Sequence, residues 1–362
     1  MKTSLEVEYW VIDDDGDLVP PGTLLDLSEQ IDPEFVEPML EIKTTPCTSM
    51  AELREEFVSL IGHVVDAARE QDKRLVPLAT PLNASPAEIP YREKDGTDLQ
   101  RRTVGPAFDD ARVCAGTHIH FEQSNVVDQL NTLTALDPAF ALVNSSSHYR
   151  GENILECARP FLYRRSCYED CPEQGQLWPY VDSVDEWEQR LENAYDGFRE
   201  RALERGVDPD AFDAEFAPYD AVWNPVRLRK AMPTVEWRSP DAALPSQVLH
   251  LTEAVRSIVT HADARGTVVE GSESAAEREA NGAVTLPDFD TVESITDAAI
   301  HNGIEDSSVR AYLQKLGFTP ADYDPLASRL ADTRLTKRQA KRLRLEAARG
   351  LEEDLAKRRV RA

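Results

Sequence analysis

The sequence predicts an α+β chain, and three observations carry that prediction. Short segments alternate ionisable and apolar residues with period two, the pattern of half-buried strands. Ser-x-x-Glu capping boxes at Ser49/Glu52 and Ser183/Glu186 open stretches of helical spacing between them. Beyond residue 287 the pattern is all-helical.

Leu5 to Asp13 alternates as a strand and ends in the turn Asp13-Asp14-Asp15-Gly16-Asp17. Met39 to Thr45 is a second strand. Leu53, Phe57, Leu60, Val64 and Ala68 then recur at helical spacing. Leu75–Leu78 is a short strand, before a polar, Pro-rich connection through about Arg102. Val113 to Glu122 is a strand, and Val126 to Val143 a helix interrupted at Pro138. Trp187, Leu191, Tyr195 and Phe198 share the face of another helix. Met232 to Arg238 is a strand, and a long helix covers Ser246 to His261. The stretch 263–287, rich in Gly, Ser, Ala and Glu, is expected to be a loop or linker. It separates 1–262 from a helical C-terminal region, 288–362.

The chain has 362 residues, with 66 Asp and Glu against 40 Lys and Arg, a formal charge of −26. Such a surface repels phosphate backbones and anionic lipid, so neither nucleic-acid binding nor membrane attachment is expected. Disorder is excluded by five Trp, ten Tyr and eleven Phe set in periodic stretches. The excess acid is read as adaptation to a salt-rich cytoplasm, where screening weakens self-repulsion. The first residues lack the apolar run of a signal peptide, and no segment approaches the ~18 apolar residues of a membrane span. A cytoplasmic location is expected. Five scattered cysteines suit reduced thiols, and Cys167 with Cys171 lacks the second pair a structural zinc site needs. Residues 333–362 invert the charge, with eleven Lys or Arg against four Asp or Glu. Docking of this end on the acidic body or on a partner subunit is preferred to RNA binding.

Four segments concentrate chemistry. Glu6 with Glu8, Glu41 with Lys43, His118 with His120, and Glu236 with Arg238 each lie two apart and so share a strand face. Leu5, Val7, Ile42, Ile119, Val235 and Trp237 supply the opposite face. A solvated sheet face also alternates, but this one is biased to carboxylate, imidazole and guanidinium. Carboxylates so gathered repel unless cations hold them, and an oxygen-rich set with an occasional imidazole suits Mg²⁺ or Mn²⁺. There is no Gly-x-x-x-x-Gly-Lys-Ser/Thr loop, no Gly-x-Gly-x-x-Gly turn and no Gly-x-Ser-x-Gly elbow. A nucleotide would therefore be held through metals and arginines.

In this order the four segments resemble the glutamate–cysteine ligase and carboxylate–amine ligase family, whose catalytic core is related to glutamine synthetase. The blocks are Ser4-Leu5-Glu6-Val7-Glu8, with Ser for the family's Gly; Glu34 through Cys47, with Glu34 where Asp is common; Cys114 through Phe121; and Thr234-Val235-Glu236-Trp237-Arg238-Ser239-Pro240-Asp241. Ser145 through Gly151 and the later Arg159 resemble its Ser-rich turn and substrate arginine. The resemblance covers about 1–262. It implies a curved, mainly antiparallel sheet carrying the active site, with helices packed on its other side. It implies Glu6, Glu8, Glu34, Glu41, His118 and Glu236 as ligands of two or three Mg²⁺ ions. Arg238 would face the phosphates of ATP and Arg159 a substrate carboxylate, while Arg227 is a further candidate for phosphate or substrate. His120 is read as a packed histidine, or one that supports a ligand, rather than as a ligand itself.

The activity implied is ATP-dependent joining of L-glutamate to L-cysteine through a γ-glutamyl phosphate, with a loop such as Tyr91–Val104 closing over the substrates. Family members with other amine acceptors make the acceptor an open point. A zinc hydrolase built on His118-x-His120 and a non-catalytic ligase homologue are the readings from other classes.

If the −26 charge answers to salt, circular dichroism at low ionic strength will show loss of structure that added KCl restores; indifference to salt overturns that reading.

Overall fold

The computed structural model describes residues 1–92, 95–272, 275–330 and 333–359. Its organising element is β1 (Thr3–Asp13), an eleven-residue strand with Leu5, Val7, Tyr9 and Val11 fully buried. Around it lie β2 (Ile31–Pro33), β3 (Met39–Lys43), β4 (Lys73–Val76) and β5 (Thr117–Glu122). A small hairpin, β6 (His148–Tyr149) and β7 (Glu152–Asn153), precedes β8 (Val226–Arg229) and β9 (Thr234–Trp237). The main sheet runs β2-β3-β1-β5-β9-β8, with β4 also on β1. Every pair in it is antiparallel. Length lets β1 serve both partners on one edge. Residues 3–7 pair with β5 and residues 10–13 with β4.

One face of this sheet is apolar. Leu5, Val7, Ile42, Ile119, Val235 and Trp237 enter a single buried cluster with the helices Met50–Arg69, Val126–Leu136 and Pro245–Arg265. Each fully buried large side chain contributes about 1.5–3 kcal/mol of transfer free energy. Ser49 closes the expected capping box on the first of these helices. Ser183 caps Val184–Glu204 through the amide of Glu186, but the Glu186 carboxylate reaches the amide of Asp182 instead. Pro138 ends α-helix at Leu136 and leaves a 3₁₀ turn, Asp137–Val143.

Several expectations need correction. The stretch 263–287 is structured: Thr267–Val269 and Val284–Leu286 pair in parallel around a helix, Ala275–Ala280. Asp128 accepts hydrogen bonds from the amide and hydroxyl of Thr267 and fixes this unit to the helix Val126–Leu136. Glu273 and Ser274 lie outside the described residues. The polar connection before Arg102 contains a helix, Asp95–Val104, drawn out by a second apolar cluster of Val104, Phe108, Tyr168, Phe198, Phe212 and Phe216. Glu93 and Lys94, in the expected closing loop, also lie outside the described residues. The strand expected from Val113 begins at Thr117, and β2 and β8 were too short to show a period.

The basic end, Lys337–Arg359, is a helix lying on the body. Ala340, Ala348, Leu351 and Leu355 enter the main cluster. Glu352 receives Arg69 at 2.6 Å and Arg74 at 3.0 Å, and Lys341 reaches Asp17 at 2.5 Å. All five cysteines are free and buried. No helix among the described residues is long and apolar enough to cross a membrane.

Because Leu351 is fully buried in the shared cluster, Leu351→Ala is expected to cost about 2–5 kcal/mol in urea denaturation, within a single transition. Separate unfolding of the C-terminal helix would contradict a shared core.

Candidate active site

The polar face of the sheet is assembled by register. Glu6 stands opposite Lys43 and Glu8 opposite Glu41 of β3, while Asp32 of β2 faces Glu41 from the far side. In the other direction Glu6 stands opposite His118 and Ser4 opposite His120. His120 in turn faces Glu236, and Glu236 faces Arg227. From β3 to β8 the face therefore passes from carboxylates through imidazoles to guanidiniums.

His118 sits at the centre. Its Nδ1 is 3.3 Å from Glu6, 3.6 Å from Glu236 and 4.0 Å from Glu41, and its Nε2 is 3.8 Å from Glu8. His120 Nε2 is 3.2 Å from Glu6, while its Nδ1 meets the hydroxyl of Thr234 at 3.1 Å. Three groups bring donor atoms within 4.8 Å of one another: Glu6, Glu41 and His118; Glu6, His120 and Glu236; and Glu8, Glu34 and Glu41. All six expected ligands fall in these groups. His120, expected to be packed or to support a ligand, also falls in one of them, because the pleat that aims His118 inward aims His120 the same way.

Charge and burial are at odds here. Glu8 and Glu41 are each about a tenth exposed or less, and Glu236 is fully buried. Burial pushes the Glu41 carboxyl well above its usual range, helped by the charges of Glu34, Glu6 and Glu8. Burial also raises Glu8, although Arg159 and the Gly116 amide oppose it. For Glu6 burial is outweighed by the nearby imidazoles of His118 and His120, which hold its carboxyl well below the usual range. Burial and the charge of Arg238 push His118 down to about 3, so the ring is neutral and able to act as a ligand. The Nε2 atoms of both histidines are buried and make no aligned hydrogen bond, that of His120 lying 3.2 Å from Glu6. Buried imidazole nitrogens among crowded carboxylates fit a divalent cation. No group holds more than one imidazole, which favours Mg²⁺ or Mn²⁺ over zinc.

The arginines cluster around one carboxylate. Arg227 and Arg238 each hold one oxygen of Glu236 at 2.6 Å, and Arg229 lies 3.7 Å away. Burial would raise the Glu236 carboxyl, but Arg227 and Arg238 hold it well below its usual range. Arg227 is thus a buried ion-pair partner of Glu236 at the β8 edge of the face, pushed by burial and by Arg238 to about 10. Glu236 anchors these arginines, and each of its oxygens keeps a second lone pair. Arg159 makes no ion pair among the described residues; it donates to the carbonyls of Arg238 and Ser239 at 2.8 and 3.1 Å.

Arg159 also explains a glycine. A Cβ on Gly116 would lie 2.3 Å from its guanidinium, and the Gly116 amide donates to Glu8 at 2.6 Å. Behind this, the Asp241 carboxylate accepts the Ser145 amide at 2.8 Å, and the Ser145 hydroxyl oxygen accepts the Ala79 amide at 2.8 Å. The serines of the turn are spent on architecture. So is Asp137, which sequence reasoning missed: it receives two hydrogen bonds from Arg164, at 2.6 and 3.1 Å, and one from the Trp237 indole at 3.0 Å. A lone Asp before a proline carried no signal of that role.

The model of glutamate–cysteine ligase family 2 matches residues 11–314. The chain belongs to that family. A relative from Jannaschia sp. (strain CCS1), provisionally named glutamate–cysteine ligase 2, is 25% identical over 252 residues, 66% of this chain and 60% of its own length. One of the same provisional name from Salinispora arenicola is 28% identical over 213 residues, 58% of this chain and 50% of its own. The chain thus spans about half to three-fifths of these relatives. In fold, the family member resembles a bifunctional glutathione synthetase from Pasteurella multocida, with TM-score 0.55 and 15% identity over 97% of this chain and 53% of that one. It also resembles a glutamate–cysteine ligase from Francisella tularensis solved with AMP, with TM-score 0.54 and 13% identity over 98% and 88%.

Burial raises the Asp241 carboxyl from an ordinary 3.8 to about 7, so its protonated form is favoured in the folded chain. Its contribution to stability is complete below pH 3.8 and is lost as pH rises through 7. In urea melts between those limits, Asp241→Asn is expected to remove that decline, which amounts to at most roughly 4 kcal/mol. Parallel pH profiles for the two proteins would refute the assignment.

Proposed function

We propose that the chain is an ATP-dependent ligase joining the γ-carboxylate of L-glutamate to the amine of L-cysteine through a γ-glutamyl phosphate. The products are γ-glutamylcysteine, ADP and phosphate. The observation that carries this reading is the passage, across neighbouring strands, from buried carboxylates through buried imidazoles to clustered guanidiniums. Membership of the family supports it.

A free carboxylate does not condense with an amine, because its oxygen is a poor leaving group. Its oxygen attacks the γ-phosphorus of ATP and ADP departs; the amine nitrogen then attacks the acyl carbon, loses a proton and expels phosphate. Phosphoryl transfer depends on position and charge more than on a protein nucleophile. Glu6, Glu8, Glu34, Glu41 and His118 would hold Mg²⁺ or Mn²⁺, with Glu236 and His120 at the arginine side. Such ions neutralise phosphate charge and polarise the transferring group. Arg227, Arg229 and Arg238 bring three positive charges against the single charge of Glu236, leaving an excess that attracts phosphoryl oxygens. Burial of the face limits water, which would hydrolyse the acyl phosphate.

A coupled assay of the purified chain with Mg²⁺ should show ADP release that requires both L-glutamate and L-cysteine. Glu41→Gln should lower the rate by at least about 10–100-fold, the loss seen even for groups that only support a metal ligand. Release that needs glutamate but accepts another amine changes only the acceptor. Release independent of glutamate, or unaffected by Glu41→Gln, overturns the ligase reading.

A further inference from the structure

Beside the arginine end of the sheet lies a cleft of about 350 Å³, counting its open mouth. Its walls include Arg159, Tyr163, Arg164, Trp223, Asn224 and Arg238. Two of these arginines are paired with carboxylates, Arg164 with Asp137 and Arg238 with Glu236. Arg159 has no carboxylate partner among the described residues, and its Nε–H is buried without an acceptor. The cleft therefore has a positive charge to offer.

Asn224 is the unexplained wall residue. It is 2% exposed, and neither Oδ1 nor Nδ2 has a hydrogen-bond partner. Leaving both ends of a buried amide unsatisfied is costly, and such a group beside a cleft calls for a ligand. Its chemistry is double: Oδ1 accepts and Nδ2 donates. An ammonium and a carboxylate on one carbon, as in a free amino acid, match that pair.

We infer that Asn224 is a specificity-determining residue that reads the zwitterionic end of the amino acid whose distal carboxylate is activated, an inference that rests on the ligase reading above. Oδ1 accepts from the ammonium, and Nδ2 donates to the α-carboxylate, whose charge Arg159 balances. Arg238 lines the cleft and also touches Glu236, so a side chain running past it leads toward the carboxylate and imidazole cluster. Trp223 and Pro225, the chain neighbours of Asn224, line the same cleft, just before the start of β8.

Titration calorimetry of the full chain, with Mg²⁺ and a non-hydrolysable ATP analogue, tests this with L-glutamate, glutarate and N-acetyl-L-glutamate. The wild type should bind L-glutamate at least about tenfold more tightly than either analogue, as expected when a buried acceptor is left unmatched. Asn224→Ala should bring that ratio close to one and raise KM for L-glutamate without raising KM for ATP. Asn224→Asp, nearly isosteric, keeps an acceptor and should retain preference for the ammonium over glutarate; it decides the matter if the alanine variant does not fold. Equal binding of the three compounds by the wild type, binding of none, or an undiminished ratio in Asn224→Ala overturns the inference. Glutamate-dependent ADP release with an undiminished ratio leaves the ligase reading standing. Ammonium-dependent binding, lost in Asn224→Ala, with no ADP release supports the role of Asn224 and overturns the ligase reading.

Discussion

Buried negative charge on one face of an antiparallel sheet is the constraint on which the rest of this structure depends. Glu6, Glu8, Glu41 and Glu236 occupy that face on three strands, and Glu34 approaches from the connection before β3. Carboxylates this close and this dry stay ionised only when positive charge or hydrogen-bond donors compensate them. The chain solves the problem in two ways. At β9 the compensation is built into the chain, through Arg227 and Arg238 on Glu236. Around Glu41 it is incomplete, and its carboxyl is pushed far above the ordinary range.

Support for this face comes from neighbours that do no chemistry. Gly116 admits the guanidinium of Arg159 and gives its amide to Glu8. Asp241 binds the Ser145 amide, and Asp137 gathers Arg164 and the Trp237 indole behind β9. These buried contacts fix the strand ends from which Glu236 and Arg238 project. A loose supporting layer would let the like charges separate, which is the relaxation that electrostatics favours.

Much of the fold was legible in the sequence. Alternation in Leu5–Asp13 and Thr234–Trp237 assigned faces correctly, because side chains in a strand repeat every two residues whatever the partner. The Ser49 box located a helix start because its hydrogen bonds are local. Asp95–Val104 and the unit around Thr267–Leu286 were not legible. Their polar, small-residue sequences fold against Phe198, Phe212 and Asp128, which lie far away in the chain. The same limit applied to the site. The residue types of Glu6, Glu8, Glu41, His118 and Glu236 stood out, but the ion pair of Arg227 with Glu236 depends on a β8–β9 pairing only four residues long.

By itself, then, the sequence determined which residues share a face and which chemistry that face carries, since both follow from local periodicity and side-chain type. Only the tertiary structure decided the order of the strands, and with it the passage from carboxylate to imidazole to guanidinium. It alone drew His120 into the donor groups, turned Arg227 toward Glu236 and left the Asn224 amide without a partner. The physical reason is that these outcomes depend on register and burial between segments distant in sequence, which no local pattern encodes.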